Sequence, residues 1–176
     1  LPVNVLNAIK TQEALATKDT DTYLSFTAGA IKDMKGNALV GNANGNALKV
    51  AQYIKDSAAA SLESVKLNMK LGVLTLTFSE TMDVSSVTVK DNLFIQSKND
   101  VSGLTDHKHA LQGEQVIPRA DSTIVKVKLT AADLEAIKLN DNFGTTKANT
   151  FVSATSALIK DQAGVSLLKA TEDKGV

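Results

Sequence analysis

Sliding the first 48 residues of the chain against the last 48, an offset of 128, brings 14 identities into register without a gap. Leu1, Leu6, Ala8, Ile9 and Lys10 meet Leu129, Leu134, Ala136, Ile137 and Lys138. Thr17, Thr22, Ser25 and Thr27 meet Thr145, Thr150, Ser153 and Thr155, and Ile31, Lys32, Asp33, Gly36 and Leu39 meet Ile159, Lys160, Asp161, Gly164 and Leu167. Such a duplication constrains the fold more than any local motif, because both copies must solve one packing problem. The period is too long for a solenoid unit and fits whole domains in series. The 176 residues hold one period plus 48 more, so one of two repeats is expected to be incomplete. Asp56-Ser-Ala-Ala-Ala60 has weak patterning and is expected to be a joint, residues 56–60. Residues 1–55 would then be the C-terminal portion of one repeat. Residues 61–176 would be a nearly whole repeat lacking its last strand, since the counterpart of Leu48–Lys55 begins only as the chain reaches Val176.

Period-two alternation, which places successive side chains on opposite faces of a strand, recurs along the second portion. Leu74, Leu76 and Phe78 alternate with Thr75 and Thr77; Val125, Val127 and Leu129 alternate with Lys126 and Lys128. Val65, Leu67 and Met69 alternate ahead of Lys70-Leu71-Gly72, a short turn with a glycine suited to positive φ, so 65–78 is expected to be a hairpin. Further strands are expected at 93–96, 112–117, 22–27, its counterpart 150–155, and 47–53. Thr130-Ala-Ala-Asp-Leu-Glu-Ala-Ile-Lys138 departs from this pattern: Thr130 suits an N-cap, Asp133 the positive end of the helix dipole, and Leu134 with Ile137 forms an i, i+3 apolar pair. The equivalent Val3–Lys10 keeps Leu6 and Ile9 but has Pro2 at the cap position. Short strands, turns and one crossover helix per repeat describe an all-β chain of immunoglobulin-like antiparallel β-sandwich repeats. A partial sandwich leaves strand edges open, here around Thr22, Leu24 and Phe26 and around Leu48, Val50 and Tyr53, and such edges call for a partner.

Composition excludes several functions. Nineteen basic residues balance nineteen acidic ones and Arg119 is the single arginine, so there is no basic stripe for nucleic acid. No apolar run approaches the roughly 20 residues of a membrane helix, and membrane insertion is not expected. Without Cys there are no disulfides, no thiol chemistry and no Cys-based zinc site.

Gly72-Val-Leu-Thr-Leu-Thr-Phe-Ser-Glu-Thr-Met-Asp-Val-Ser-Ser86 resembles the opening hairpin of immunoglobulin-like repeats in large microbial cell-surface and adhesin proteins, of the SwmB type, in which a strand ends in a Phe-Ser-Glu-x-Met/Leu-Asp turn. Leu134-Glu-Ala-Ile-Lys138, Thr22-Tyr-Leu-Ser-Phe26 and Ile31-Lys-Asp-Met-Lys-Gly-Asn37 extend the resemblance. The last is similar to the Ile-x-Asp-x-x-Gly-Asn turn near the end of such repeats, whereas Asp161-Gln-Ala-Gly-Val165 lacks the Asn. The resemblance implies a structural or adhesive role outside the cell, in series with like modules.

No catalytic constellation stands out, and the chain is not expected to be an enzyme. Asp106-His-Lys-His109 would place both imidazoles on one face of a strand and could hold a transition metal weakly; a solvated loop is the plainer account. Surface modules of the class resembled often use calcium, for which Glu80, Asp83 and Asp33 are candidates, with Asn37, Asp56, Asp141 and Asn142 nearby in sequence; the plainer account is that Asp and Asn bond local turn backbone. No cofactor is otherwise expected. The expected function is a structural subunit or segment of an extracellular fibre, surface layer or adhesin stalk, assembled head-to-tail by β-strand complementation with other copies of itself or flanking repeats. The alternative is a glycan- or surface-binding module, against which the absence of Trp and the presence of only Tyr23 and Tyr53 argue.

Overall fold

The computed structural model describes residues 1–12, 14–43, 45–113, 115–117 and 121–168. Arg119 and the stretch after Leu168, which leads toward the expected missing strand, lie outside the described residues. The chain divides into two compact units, Leu1–Asp56 and Ser57–Val176. It is all-β in class, with three antiparallel sheets and two short α-helices among the described residues.

The second unit begins with the expected hairpin. Strand β3 (Leu62–Asn68) runs into β4 (Val73–Asp83) through a turn in which Gly72 has φ +64° and Asn68 Oδ1 accepts the Leu71 N–H. The long β4 is the spine of a five-stranded sheet. It pairs on one edge with β8 (Ser122–Lys128), which carries β7 (Gln115–Ile117), and on the other with β3 and then β10 (Lys160–Asp161). A three-stranded sheet follows the order β6 (Lys108–Ala110), β5 (Leu93–Gln96), β9 (Phe151–Ala154). Leu74, Leu76 and Phe78 of the first sheet and Leu93, Ile95 and Val152 of the second are buried in one apolar cluster, which Ile137 and Phe143 help to fill. The alternation therefore names the inward faces correctly. Val65 and Leu67 are only half-buried, since β3 lies at the edge of its sheet. The pairs β6 and β10 are too short, at three and two residues, for alternation to reveal them.

Helix α2 (Ala131–Leu139) starts as expected. The Thr130 hydroxyl accepts the Asp133 N–H at 3.0 Å and Asp133 Oδ2 accepts the Thr130 N–H at 3.1 Å, a reciprocal cap that satisfies two otherwise orphaned donors. In the first unit, α1 (Val3–Lys10) begins at Pro2 with no side-chain cap and ends with Lys10 ion-paired to Asp56 at 2.6 Å. The one sheet of that unit is the pair β1 (Tyr23–Leu24) and β2 (Leu48–Lys49). None of its described residues is buried.

Candidate interaction face

Several local hydrogen bonds of residues 1–40 have counterparts 128 positions later. Helix α1 corresponds to Ala131–Lys138 within α2. The Thr22 hydroxyl donates to Lys18 O at 2.6 Å, and the Thr150 hydroxyl donates to Thr146 O at 2.5 Å. Asp21 Oδ1 accepts the Lys18 N–H at 2.9 Å, and Asn149 Oδ1 accepts the Thr146 N–H at 2.8 Å. Isolated bridges join Lys32 to Ala38 and Lys160 to Ser166. Within the turns they enclose, the Asp33 N–H donates to Asn37 O and the Asp161 N–H to Val165 O, both at 2.9 Å, while Gly36 and Gly164 have φ of +84° and +80°. Even Ala16 adopts φ +56° where Gly144 has +75°, a conformation that costs an L-residue free energy.

Burial differs completely. Leu1 is 89% exposed and Leu129 2%; Leu24 is 59% and Val152 0%; Ile31 is 68% and Ile159 1%; Leu39 is 42% and Leu167 2%. In the second unit these positions close the cluster against β4, β5 and β8; in the first the same apolar set has nothing over it within the unit. Beside it lies an open concavity of about 630 Å³ lined by Ser25, Phe26, Thr27, Val40, Gly41 and Asn42. Contiguous exposed apolar residues mark interaction sites, ligand grooves or aggregation-prone patches.

Four of the six expected edge residues are paired with each other, and Phe26 with Asn42. Leu24 is paired with Leu48, the Val50 N–H donates to Thr22 O at 3.1 Å, and Phe26 is bridged to Asn42, whose side chain accepts the Phe26 N–H and donates to Leu24 O. Thr22, Phe26, Val50 and Tyr53 are half-buried, and Leu24 and Leu48 exposed. Within the segment 22–27, where an open edge was expected, Tyr23 of β1 and Ser25 and Thr27 beyond it are all exposed. Their counterparts face β5: Ser153 Oγ donates to Gln96 Oε1 at 2.7 Å and the Thr155 N–H to Asn92 O at 2.9 Å. The identity of Ser25 with Ser153 and of Thr27 with Thr155 was the available signal.

The calcium candidates serve turns. Asp83 Oδ1 accepts the N–H and hydroxyl of Ser85, and Asp33 accepts the N–H groups of Lys35 and Asn37 and the Asn37 amide. The Asn37 side chain first, then its backbone N–H, holds the Asp33 carboxyl below its ordinary pKa. Glu80 lies on β4 with Asp83, in the other unit from Asp33. Asp56 pairs with Lys10, and Asn142 donates to Asn140 Oδ1 through its N–H. His107 Nδ1 is hydrogen-bonded to Ser97 Oγ at 2.8 Å and His109 Nε2 to Asp133 Oδ1 at 3.2 Å, so the two imidazoles are engaged by different partners. Among the described residues no three His, Asp or Glu side chains converge as a metal-binding set, and no helix is long and apolar enough to cross a membrane.

The replacement of Asn37 by Val165 has a cost. Asp33 Oδ2 accepts the Asn37 amide at 2.8 Å, but Asp161, buried against β4, has Oδ2 without a partner. Val165→Asn is expected to restore that bond and stabilise the second unit by about 1 kcal/mol, the net worth of satisfying a buried acceptor after loss of a half-buried valine. Chemical denaturation would measure it, and an unchanged or lower midpoint would count against the register.

Comparison of the chain with protein-family models, curated proteins and solved structures returned no match.

Proposed function

We propose that this chain is a non-enzymatic structural segment of an extracellular fibre, surface layer or adhesin stalk, built from immunoglobulin-like β-sandwich repeats in series and assembled by β-strand complementation. The observation that carries the reading is the contrast between Leu24, Ile31 and Leu39, exposed in the first unit, and Val152, Ile159 and Leu167, buried in the second. Two burial states of similar local structure fit an assembly in which strands from outside the first unit cover its exposed apolar residues. Strand addition supplies main-chain hydrogen bonds along an open edge while alternate side chains fill the apolar face. A contact that joins unlike surfaces need not close on itself, so it propagates into filaments. The resemblance of Gly72–Ser86 to microbial surface repeats supports the extracellular placement. Electron microscopy of the native material is the test. Regular filaments or a periodic layer at the cell surface are expected, and dispersed particles would overturn the reading.

A further inference from the structure

We infer that the solvent face of the five-stranded sheet in the second unit binds an anionic polysaccharide, one that carries carboxylates at intervals along its chain. The inference goes beyond the assembly reading: strand addition acts at edges, and this site is the face of a sheet.

The register of the strands composes the site. Side chains at paired positions of an antiparallel sheet stand on the same side. One row runs Lys66, Thr75, Lys126 and Ile117 across β3, β4, β8 and β7. Flanking it are Ser64, Thr77 and Ile124 on one side and Asn68, Val73 and Lys128 on the other. Leu74, Leu76, Val125 and Val127 point the opposite way into the core, so these rows face water. Lys66, Lys126 and Lys128 are exposed, and no position of the three rows is acidic. Among the described residues Lys66 and Lys126 have no ion-pair partner, whereas Lys10 is held by Asp56 and Lys108 lies 4.0 Å above the Phe94 ring. Guarding an open edge accounts for a lysine on β3, but β8 is held between β4 and β7, so Lys126 guards none. In a chain of zero net charge the face is a local field of one sign, and it selects an anion.

Spacing and composition select which anion. Lys66 and Lys126 stand two strand spacings apart, about 9.5 Å, and Lys126 and Lys128 are about 7 Å apart along β8. An extended polymer with recurring carboxylates meets them in turn, whereas a single small anion needs donors that converge on it. Ser64, Thr75, Thr77 and Asn68 lie among the lysines with hydroxyl and amide groups that exchange hydrogen bonds with sugar hydroxyls. Single-stranded nucleic acid stacks its bases on aromatic or guanidinium planes, and Trp, Tyr and Arg anchor protein interfaces; none of the rows carries any of these. Lack of an aromatic platform disfavours a neutral sugar, but an ionic contact does not require one. Ile117 and Ile124, 40% and 43% exposed, add apolar surface for the C–H face of a sugar ring.

The test is calorimetric titration of the full 176-residue chain with polygalacturonate, dextran and polyglutamate at low salt. Binding of polygalacturonate is expected, with none of dextran, which is uncharged. Lys66→Gln combined with Lys126→Gln is expected to weaken it about 10-fold, the loss of two exposed ion pairs. Lys32→Gln combined with Lys35→Gln makes the same change of charge at exposed positions of the first unit and is expected to alter affinity by less than about 2-fold. Lys126→Arg, which keeps the charge, should retain binding. No heat with polygalacturonate overturns the inference, as does an equal loss in the two double variants, which would make the attraction one of net charge alone. Tighter, Lys66- and Lys126-dependent binding of polyglutamate would assign the face to an acidic protein and overturn it too. None of these results bears on filaments in the native material, so this inference and the assembly reading fail separately.

Discussion

In hydrogen exchange of the chain as it stands, the amides of Leu74, Ile95 and Val127 are expected to exchange about 10⁴-fold more slowly than those of Tyr23, Leu24 and Phe26, the factor that a folding free energy of roughly 5–6 kcal/mol gives. Both sets lie in or beside strands, so secondary structure alone would predict little difference. Burial separates them. Ordering each residue costs about 1–2 kcal/mol of backbone entropy, which apolar burial must offset. The second unit buries Leu74, Leu76, Val125, Val127 and Leu93 almost completely, whereas no described residue of the first unit is buried. Local bonds such as Thr22 to Lys18 O and Asn37 to Asp33 give the first unit its shape, but exposed hydrogen bonds exchange with water at little cost. Equal protection of the two units would mean that the first holds itself closed, and the proposed interaction face would not exist.

Asp133→Ala is expected to lower the unfolding free energy of the second unit by about 3–4 kcal/mol, since one charge-assisted bond to a buried carboxylate contributes about 1.5–3 kcal/mol and several are lost together. Asp133 is fully buried and ties three elements: Oδ1 takes the Gln112 N–H and His109, and Oδ2 takes the N–H groups of Gly113 and Thr130. Asp133→Asn should lose roughly half as much, since its amide nitrogen turns a donor toward one pair of N–H groups. Denaturant titration of the three proteins measures both losses. Burial is the largest single influence on the Asp133 carboxyl and works against its charge, but the N–H groups of Gln112, Thr130 and Gly113 and the Thr130 hydroxyl together outweigh it and hold the pKa below the ordinary 3.8. Because the folded value is depressed, the stabilisation is fully present above the unfolded value and is lost as pH falls through the folded one. The acid limb of the stability curve should therefore steepen below about pH 4 and flatten in Asp133→Asn. A stability curve unaffected by either substitution would show that the carboxylate is not the tie.

Part of this architecture was legible before folding. The alternations at Leu74–Phe78 and Val125–Leu129 name the buried face because a strand has only two, and the strand at Leu93–Gln96 has the expected limits. Thr130 and Asp133 announce the helix start, since an N-cap is a contact between near neighbours. The register of 128 is legible as identity alone, and the turns at Asp33 and Asp161 follow it because they are built from bonds spanning four residues. Asp133 was readable only as a dipole partner; its bonds to Gln112 and Gly113 cross about twenty residues that no periodicity links.

Sequence by itself determined the short helices and the turns at Asp33 and Asp161, because these depend on residues within a few positions of one another. Only tertiary structure decided that one portion is core and the other surface. Leu39 and Leu167 are the same residue in the same turn, and what separates 42% exposure from 2% is the presence of β4 and β5 over the second. Burial belongs to the partner as much as to the residue, and a chain encodes it only where the covering strands have also folded.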